Sequence, residues 1–279
     1  FTRTFPENVF AVGKSGYLNA PVLVRIDKDG REHFVSRFAA RAGRLQWSDY
    51  FRRIYWSEDV PDARWSMKTD SKVRYIEEGG SRTKTLKGKR LLHNPAPFEG
   101  DSFMAAAEYD VDGTSALTIV GGQSGSVLES VDAPDSLQLV ETAWIGRTLY
   151  ATAVSEGGFG IYSIGISPDA KASGPWKEVL APQPVKVKDF QSRGEELMFT
   201  CDRTGVNELY HFNPSEARLV QKTNTRYGAS DFAYSQDGDL IGFAKPGDIV
   251  TLVAGEPPVS DVEGYENMSF EAWKVVTNH

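Results

Sequence analysis

Arg44 and Gln46, His93 and Asn94, Glu141, Lys188 and Asp189, Asp231, and Glu271 stand at or just ahead of aromatic markers, at similar points of a recurring segment. Carboxylates and an amide brought together offer oxygen ligands to a hard divalent cation such as calcium, which can act as a Lewis acid in ester or lactone hydrolysis. Asn94, Glu141, Asp189 and Asp231 are the oxygen donors of this set. A plainer reading is preferred: Arg44 and Lys188 pair with the acids across a water-filled space, and no metal or other cofactor is held. The metal-dependent hydrolase stays as the alternative.

Other chemistry finds less footing. The string GGQSGS at 121–126 approaches a nucleophile elbow around Ser124, but Ser126 replaces the last glycine and no helix follows. VGKSG at 12–16 resembles the end of a phosphate-binding loop, yet Asn8 stands where its first glycine belongs. GGFG at 157–160 is a hairpin glycine cluster. His33, His93, His211 and His279 are too scattered for a zinc pair. Asp110 and Asp112 open like a calcium loop that never acquires its closing Glu, so a turn is expected. No catalytic residue is assigned.

Bulk properties narrow the partners. The chain has 279 residues, 40% hydrophobic and 11% aromatic, which suffices for a sizeable core. A net charge of -7 argues against nucleic acid or an anionic membrane as partner. Arginines nevertheless crowd one region (Arg37, Arg41, Arg44, Arg52, Arg53, Arg64), read as a solvated loop surface. Cys201 is the single cysteine, excludes an internal disulfide, and should pack as a small buried hydrophobe. No apolar run approaches the ~20 residues of a membrane helix. The chain begins with Phe1 and is read as a domain of a longer protein or a processed form.

The elements that would position the polar set repeat with a period of about 45 residues. One strand series runs through Ala11, Trp56, Ala106, Ala151, Phe199 and Phe243; a second follows it through Val24, Tyr75, Ile119, Ser163, Tyr210 and Thr251. Both are rich in β-branched and aromatic residues, and turn pairs such as Asp112-Gly113 and Thr204-Gly205 separate them. A third series carries the aromatics Trp47, Phe98, Trp144, Phe190 and Tyr234 on innermost strands. Such a period built only from strands implies an all-β, six-bladed β-propeller of four-stranded antiparallel blades, filling residues 1–279 as one domain. The blades are placed at 8–38 with 268–276, 43–87, 93–132, 137–181, 185–223 and 229–262. In this placement the first blade lacks an inner strand, and SFEAW at Trp273, similar to VETAW at Trp144, completes it from the C-terminus. Truncation after residue 265 is then expected to open the ring.

Blade two alone carries a long insertion, SEDVPDARWSMKTDS, with Arg64 and Trp65 as a candidate binding loop; the blander reading folds Trp65 back as a plug over its own blade.

YSQDGDLIGFA at 234–244 resembles the Trp-Ser-Pro-Asp-Gly core of TolB-type propeller repeats, a WD40-like unit, and FTCDRTGVNELY at 199–210 resembles the segment that usually follows it. Tyr234, Asp237, Gly238, Asp202, Arg203, Gly205 and Tyr210 occupy the matching positions, while Gln236 replaces the family's proline. This resemblance to TolB and prolyl-oligopeptidase propellers implies a non-catalytic module that binds a peptide, protein or small ligand, or gates a neighbouring domain. It also implies a larger bacterial envelope protein, periplasmic or outer-membrane associated. A purely structural spacer is the third reading.

Overall fold

A computed structural model of the chain describes residues 2–5, 8–13, 21–26, 31–38, 41–65, 69–88, 91–110, 112–134, 136–225, 228, 230–234, 240–245, 248–254, 265–267 and 270–275. Within 2–13, at Ile26, at Asp231 and from Ala233 onward the description is of backbone alone. Among the described residues the strands form six sheets. β1 (Thr2–Phe5), β2 (Asn8–Gly13), β3 (Val22–Ile26) and β4 (Glu32–Arg37) make the first. β5 (Gln46–Ser48), β6 (Arg53–Pro61), β7 (Thr69–Glu77) and β8 (Lys84–Thr85) make the second. β9 (Leu92–Pro97), β10 (Phe103–Tyr109), β11 (Ser115–Gly121) and β12 (Val127–Asp132) make the third. β13 (Gln138–Ile145), β14 (Thr148–Ser155), β15 (Gly158–Ile166) and β16 (Ala172–Gln183) make the fourth. β17 (Val187–Arg193), β18 (Glu196–Cys201), β19 (Glu208–Asn213) and β20 (Arg218–Gln221) make the fifth. β21 (Ser230–Tyr234), β22 (Leu240–Lys245) and β23 (Asp248–Ala254) begin the last. β24 (Tyr265–Asn267) then lies parallel to β20 on the fifth sheet, and β25 (Phe270–Val275) returns to pair with β23.

This is an all-β propeller architecture of four-stranded antiparallel blades. Period-2 alternation sends successive side chains of a strand to opposite faces, and each face packs on a neighbouring blade. Phe103, Ala105 and Ala107 of β10 join Leu149, Ala151 and Ala153 of β14 in one core layer, whereas Met104 and Ala106 turn to Tyr55 and Val73 of the second sheet. Ile161 faces the fifth sheet with Phe199 and Tyr210, while Tyr162 and Ile164 face the third. The core therefore lies between blades. First strands of neighbouring sheets also touch, β1 with β5, β5 with β9, β9 with β13, β13 with β17, β17 with β21, and β21 with β1.

Two expectations are corrected. The first sheet has its own first strand, β1, paired to β2, so the C-terminal strand does not complete it. β25, which carries Trp273, is instead the outer strand of the last sheet. The insertion in the second blade is mostly strand: Glu58 pairs with Lys72, Asp59 with Ser71, Val60 with Asp70 and Pro61 with Thr69, which lengthens the hairpin and leaves a tip that begins at Asp62. Asp237 and Gly238, matched to the TolB-type core in sequence, lie outside the described residues.

Candidate functional site

The first strands of the third, fourth, fifth and last sheets are each irregular at one place. Between β9 and β10 the register passes from Ala105–Ala96 to Ala107–His93, so Asn94 and Pro95 together oppose Ala106. Val140 and Glu141 oppose Thr152 in the same way, Asp189 and Phe190 oppose Phe199, and Asp231 and Phe232 oppose Gly242. Each is a bulge of two residues against one, which bends the strand and takes backbone groups out of the ladder. Asn94 and Asp189 carry positive φ, 49° and 57°, a conformation that Asn and Asp accept more readily than other side chains.

The freed backbone groups are satisfied from the preceding blade. Asn94 Nδ2 donates to Val140 O at 2.8 Å, the Phe190 N–H donates to Glu141 Oε2 at 2.6 Å, and Gln191 Nε2 donates to Phe232 O at 2.8 Å. Bulge is thus tied to bulge around the inner strands. Hydroxyls on second strands add support: the Glu141 N–H donates to Thr152 Oγ1 at 3.1 Å, and Thr200 Oγ1 donates to Asp189 Oδ2 at 3.0 Å. Gly43 fits here because a Cβ on it would stand 2.3 Å from Ser57 Oγ. That close approach sets the course of the chain into Arg44. The Arg44 guanidinium donates to Phe190 O, far along the chain.

Burial pushes the Glu141 carboxyl above its usual range; Arg44, the Phe190 N–H and Lys188 pull it back, and Asp189 adds to the rise. Arg44, Glu141, Lys188 and Asp189 therefore share one electrostatic site. The expected ion pairing takes a different form, since Arg44 binds a carbonyl and, among the described residues, no carboxylate lies within ion-pair distance of it or of Lys188. The acids are already occupied by an N–H and an O–H. His93 departs from the set: its ring lies 4.8 Å from that of Tyr109, and burial lowers its pKa against the opposing influence of Asp59. Tyr109 donates to Leu139 O, and burial, with Glu141 nearby, pushes its hydroxyl up to about 12. Gln46 is half-buried on β5 and makes none of these bonds. The side chains of Asp231 and Glu271 lie outside the description. Glu271 sits on an outer strand, away from the first strands, because β25 pairs on the far side of β23.

Among the described residues no three His, Cys, Asp or Glu side chains stand in a metal-binding group. The sequence pattern marked Phe190 for its ring, whereas its backbone is the hub, and it passed over Gln191, Thr152 and Thr200. The available signal was a threonine inside each of the largely apolar runs LYATAVS and LMFTC.

At the tip of the lengthened hairpin, Asp62 Oδ1 accepts the N–H groups of Arg64 at 2.7 Å and Trp65 at 3.0 Å. Trp65 is 66% exposed and does not plug its own blade. The tip lies at the end of β6 where Asp59 N donates to Arg41 O, close to where the chain turns into Arg44.

No protein-family model matches the chain, and no curated protein matches it in sequence. Solved structures do. It is similar to TolB from Agrobacterium tumefaciens over 88% of this chain and 84% of that one, with TM-score 0.61 and 13% identity. The β-propeller domain of the Trilobed protease from Pyrococcus furiosus, described as having an open velcro topology, matches over 99% and 96%, with TM-score 0.60 and 10% identity. A puromycin hydrolase matches over 90% of this chain but 44% of its own length, with TM-score 0.57 and 15% identity. At these identities the likeness shows the fold, a TolB-like β-propeller. Among the described residues no helix is long and apolar enough to cross a membrane.

Proposed function

We propose that the chain is a six-bladed propeller acting as a non-catalytic binding or gating module for a peptide or protein within a larger bacterial envelope protein. The observation that carries the reading is the hairpin tip, where Asp62 holds Trp65 outward at the end of the second blade that leads into Arg44. An exposed tryptophan on a rigid scaffold is an anchor in search of a partner. Six blades rest on the six sheets and on the cycle of contacts from β1 through β21 back to β1. The non-catalytic part rests on the use made of the polar set: Glu141, Asn94 and Asp189 hold backbone and hydroxyl groups in place. The envelope location rests on the TolB-like fold alone.

Two measurements test this. Binding to a peptide array should fall at least tenfold in Trp65→Ala while the melting temperature stays unchanged; equal binding by the variant overturns the role of the tip. Turnover of any member of a panel of esters, lactones and aminopeptidase substrates overturns the non-catalytic reading. The metal-dependent alternative, with Asn94, Glu141, Asp189 and Asp231 around calcium, predicts heat on titration with calcium and loss of turnover in chelator.

A further inference from the structure

The charges left uncommitted among the described residues of the bore are positive. Arg44 reaches Phe190 O from the second sheet to the fifth. Those sheets are three steps apart whichever way the inner strands are followed, through β9 and β13 or through β1 and β21. Arg44 therefore crosses the central opening. A guanidinium carries five N–H donors, and among the described residues one of them is used. Lys188, exposed on β17 and one residue before the bulge at Asp189 and Phe190, has no described partner. The two acids beside them are engaged, Glu141 by the Phe190 N–H and Asp189 by Thr200.

We infer that the bore is a carboxylate site, in which Arg44 and Lys188 receive a carboxylate of a partner segment entering the central opening. The inference rests on the binding-module reading and names the chemistry of its ligand. A half-buried guanidinium bound only to a neutral carbonyl gains from a charged, bidentate acceptor, because charge-assisted pairs are about twice as strong as neutral ones. Its bond to Phe190 O is the contact that a ligand would replace, so Arg44 serves as a latch across the opening until the carboxylate arrives. Asn94 and Gln191 keep their own bonds to Val140 and Phe232 and hold the inner strands still during the exchange.

The carboxylate could come from a chain terminus or from an acidic side chain, and three N-acetylated tetrapeptides separate the sources. One is Gly-Ala-Gly-Ala with a free C-terminus, the second its C-terminal amide, and the third Gly-Glu-Gly-Ala as the amide. Isothermal titration at low salt should show the wild-type protein binding at least one of the acidic peptides at least tenfold more tightly than the neutral amide. Preference for the first assigns a terminus and preference for the third a side chain. Arg44→Met and Lys188→Met should each weaken that binding about tenfold, and Arg44→Lys should restore part of it. Lys188 is exposed, so its variant keeps the test alive if the Arg44 variants do not fold. The inference is overturned if neither acidic peptide binds at millimolar concentration, if the neutral amide binds equally, or if the Lys188 variant binds like wild type. Neutral-peptide binding that depends on Trp65 would leave the binding module standing and remove only the carboxylate; turnover of a substrate panel would remove the module.

Discussion

Replacing Glu141 separates its two roles, as acceptor for a bulged backbone and as a buried charge. In Glu141→Ala the Phe190 N–H loses its 2.6 Å acceptor. A hydrogen bond to a charged group contributes about 1.5–3 kcal/mol, and a buried donor left without a partner costs about 1–3 kcal/mol, two views of one loss and not a sum. The expected destabilisation is about 2–3 kcal/mol, which for a chain of this size lowers the melting temperature by roughly 3–6 °C. Glu141→Gln keeps a carbonyl oxygen within reach of Phe190 and discards the charge. The folded pKa of Glu141 is raised above 4.5, chiefly by burial. A raised folded pKa means that the native state keeps a proton the unfolded chain has released. The stabilisation is complete below the unfolded value of 4.5 and fades as pH rises through the folded value. The wild-type protein should thus lose stability relative to Glu141→Gln between pH 4.5 and the upper pKa, and above it the glutamine variant should be equal or more stable. Urea unfolding from pH 4 to pH 8, followed by tryptophan fluorescence, measures both effects. An alanine variant within about 0.5 kcal/mol of wild type, or a glutamine variant with the wild-type pH slope, would refute the assignment of Glu141 to the Phe190 bulge.

Three further outcomes follow from single positions. Gly43→Ala places a Cβ 2.3 Å from Ser57 Oγ, and should cost about 1–3 kcal/mol in urea unfolding and shift Arg44. His211 is buried on β19 with Nδ1 2.8 Å from Glu196 Oε2, and burial depresses its pKa to about 4. Its contribution is complete above the unfolded value of 6.5 and is lost as pH falls toward 4, so His211→Gln should flatten the acid limb of the stability profile. Cys201 lines an apolar cleft between the fourth and fifth sheets with Phe159, Val187 and Tyr210, and burial raises its thiol pKa. It should react with a thiol reagent only at the rate of unfolding, and Cys201→Ser should destabilise the protein by about 1–3 kcal/mol through a buried hydroxyl.

The strand series was legible because a buried strand declares itself by what it lacks. FMAAAEY and LYATAVS hold small and apolar side chains on both faces, as strands packed between two blades require. The terminal strands were not legible for an equally physical reason. TRTF is only four residues long, whereas SFEAW offers an aromatic that suits an outer strand as well as an inner one. Pairing partners, which alone tell inner from outer, are not written in local pattern. Residue types at the bore were legible and their roles were not. A bulge adds one residue, turns every later side chain over, and leaves only the Asn and Asp at its positive φ as a trace.

That trace bears on how polar residues in such a bore should be read. Where strands converge on an axis, each bulge frees an N–H and a C=O, and a buried backbone group without a partner is costly enough that side chains are held there to meet it. Carboxylates, amides and hydroxyls will then gather at the centre of the ring for structural reasons, at the spacing a metal or a catalytic site would also want. On the reading proposed above, engagement tells the two apart. Glu141 and Asp189 are engaged by groups of the fold, and Asn94 is spent on Val140. Arg44 and Lys188 exceed what the described fold uses. Surplus after the backbone has been satisfied is the physical signature of a site, and at this bore the surplus is cationic.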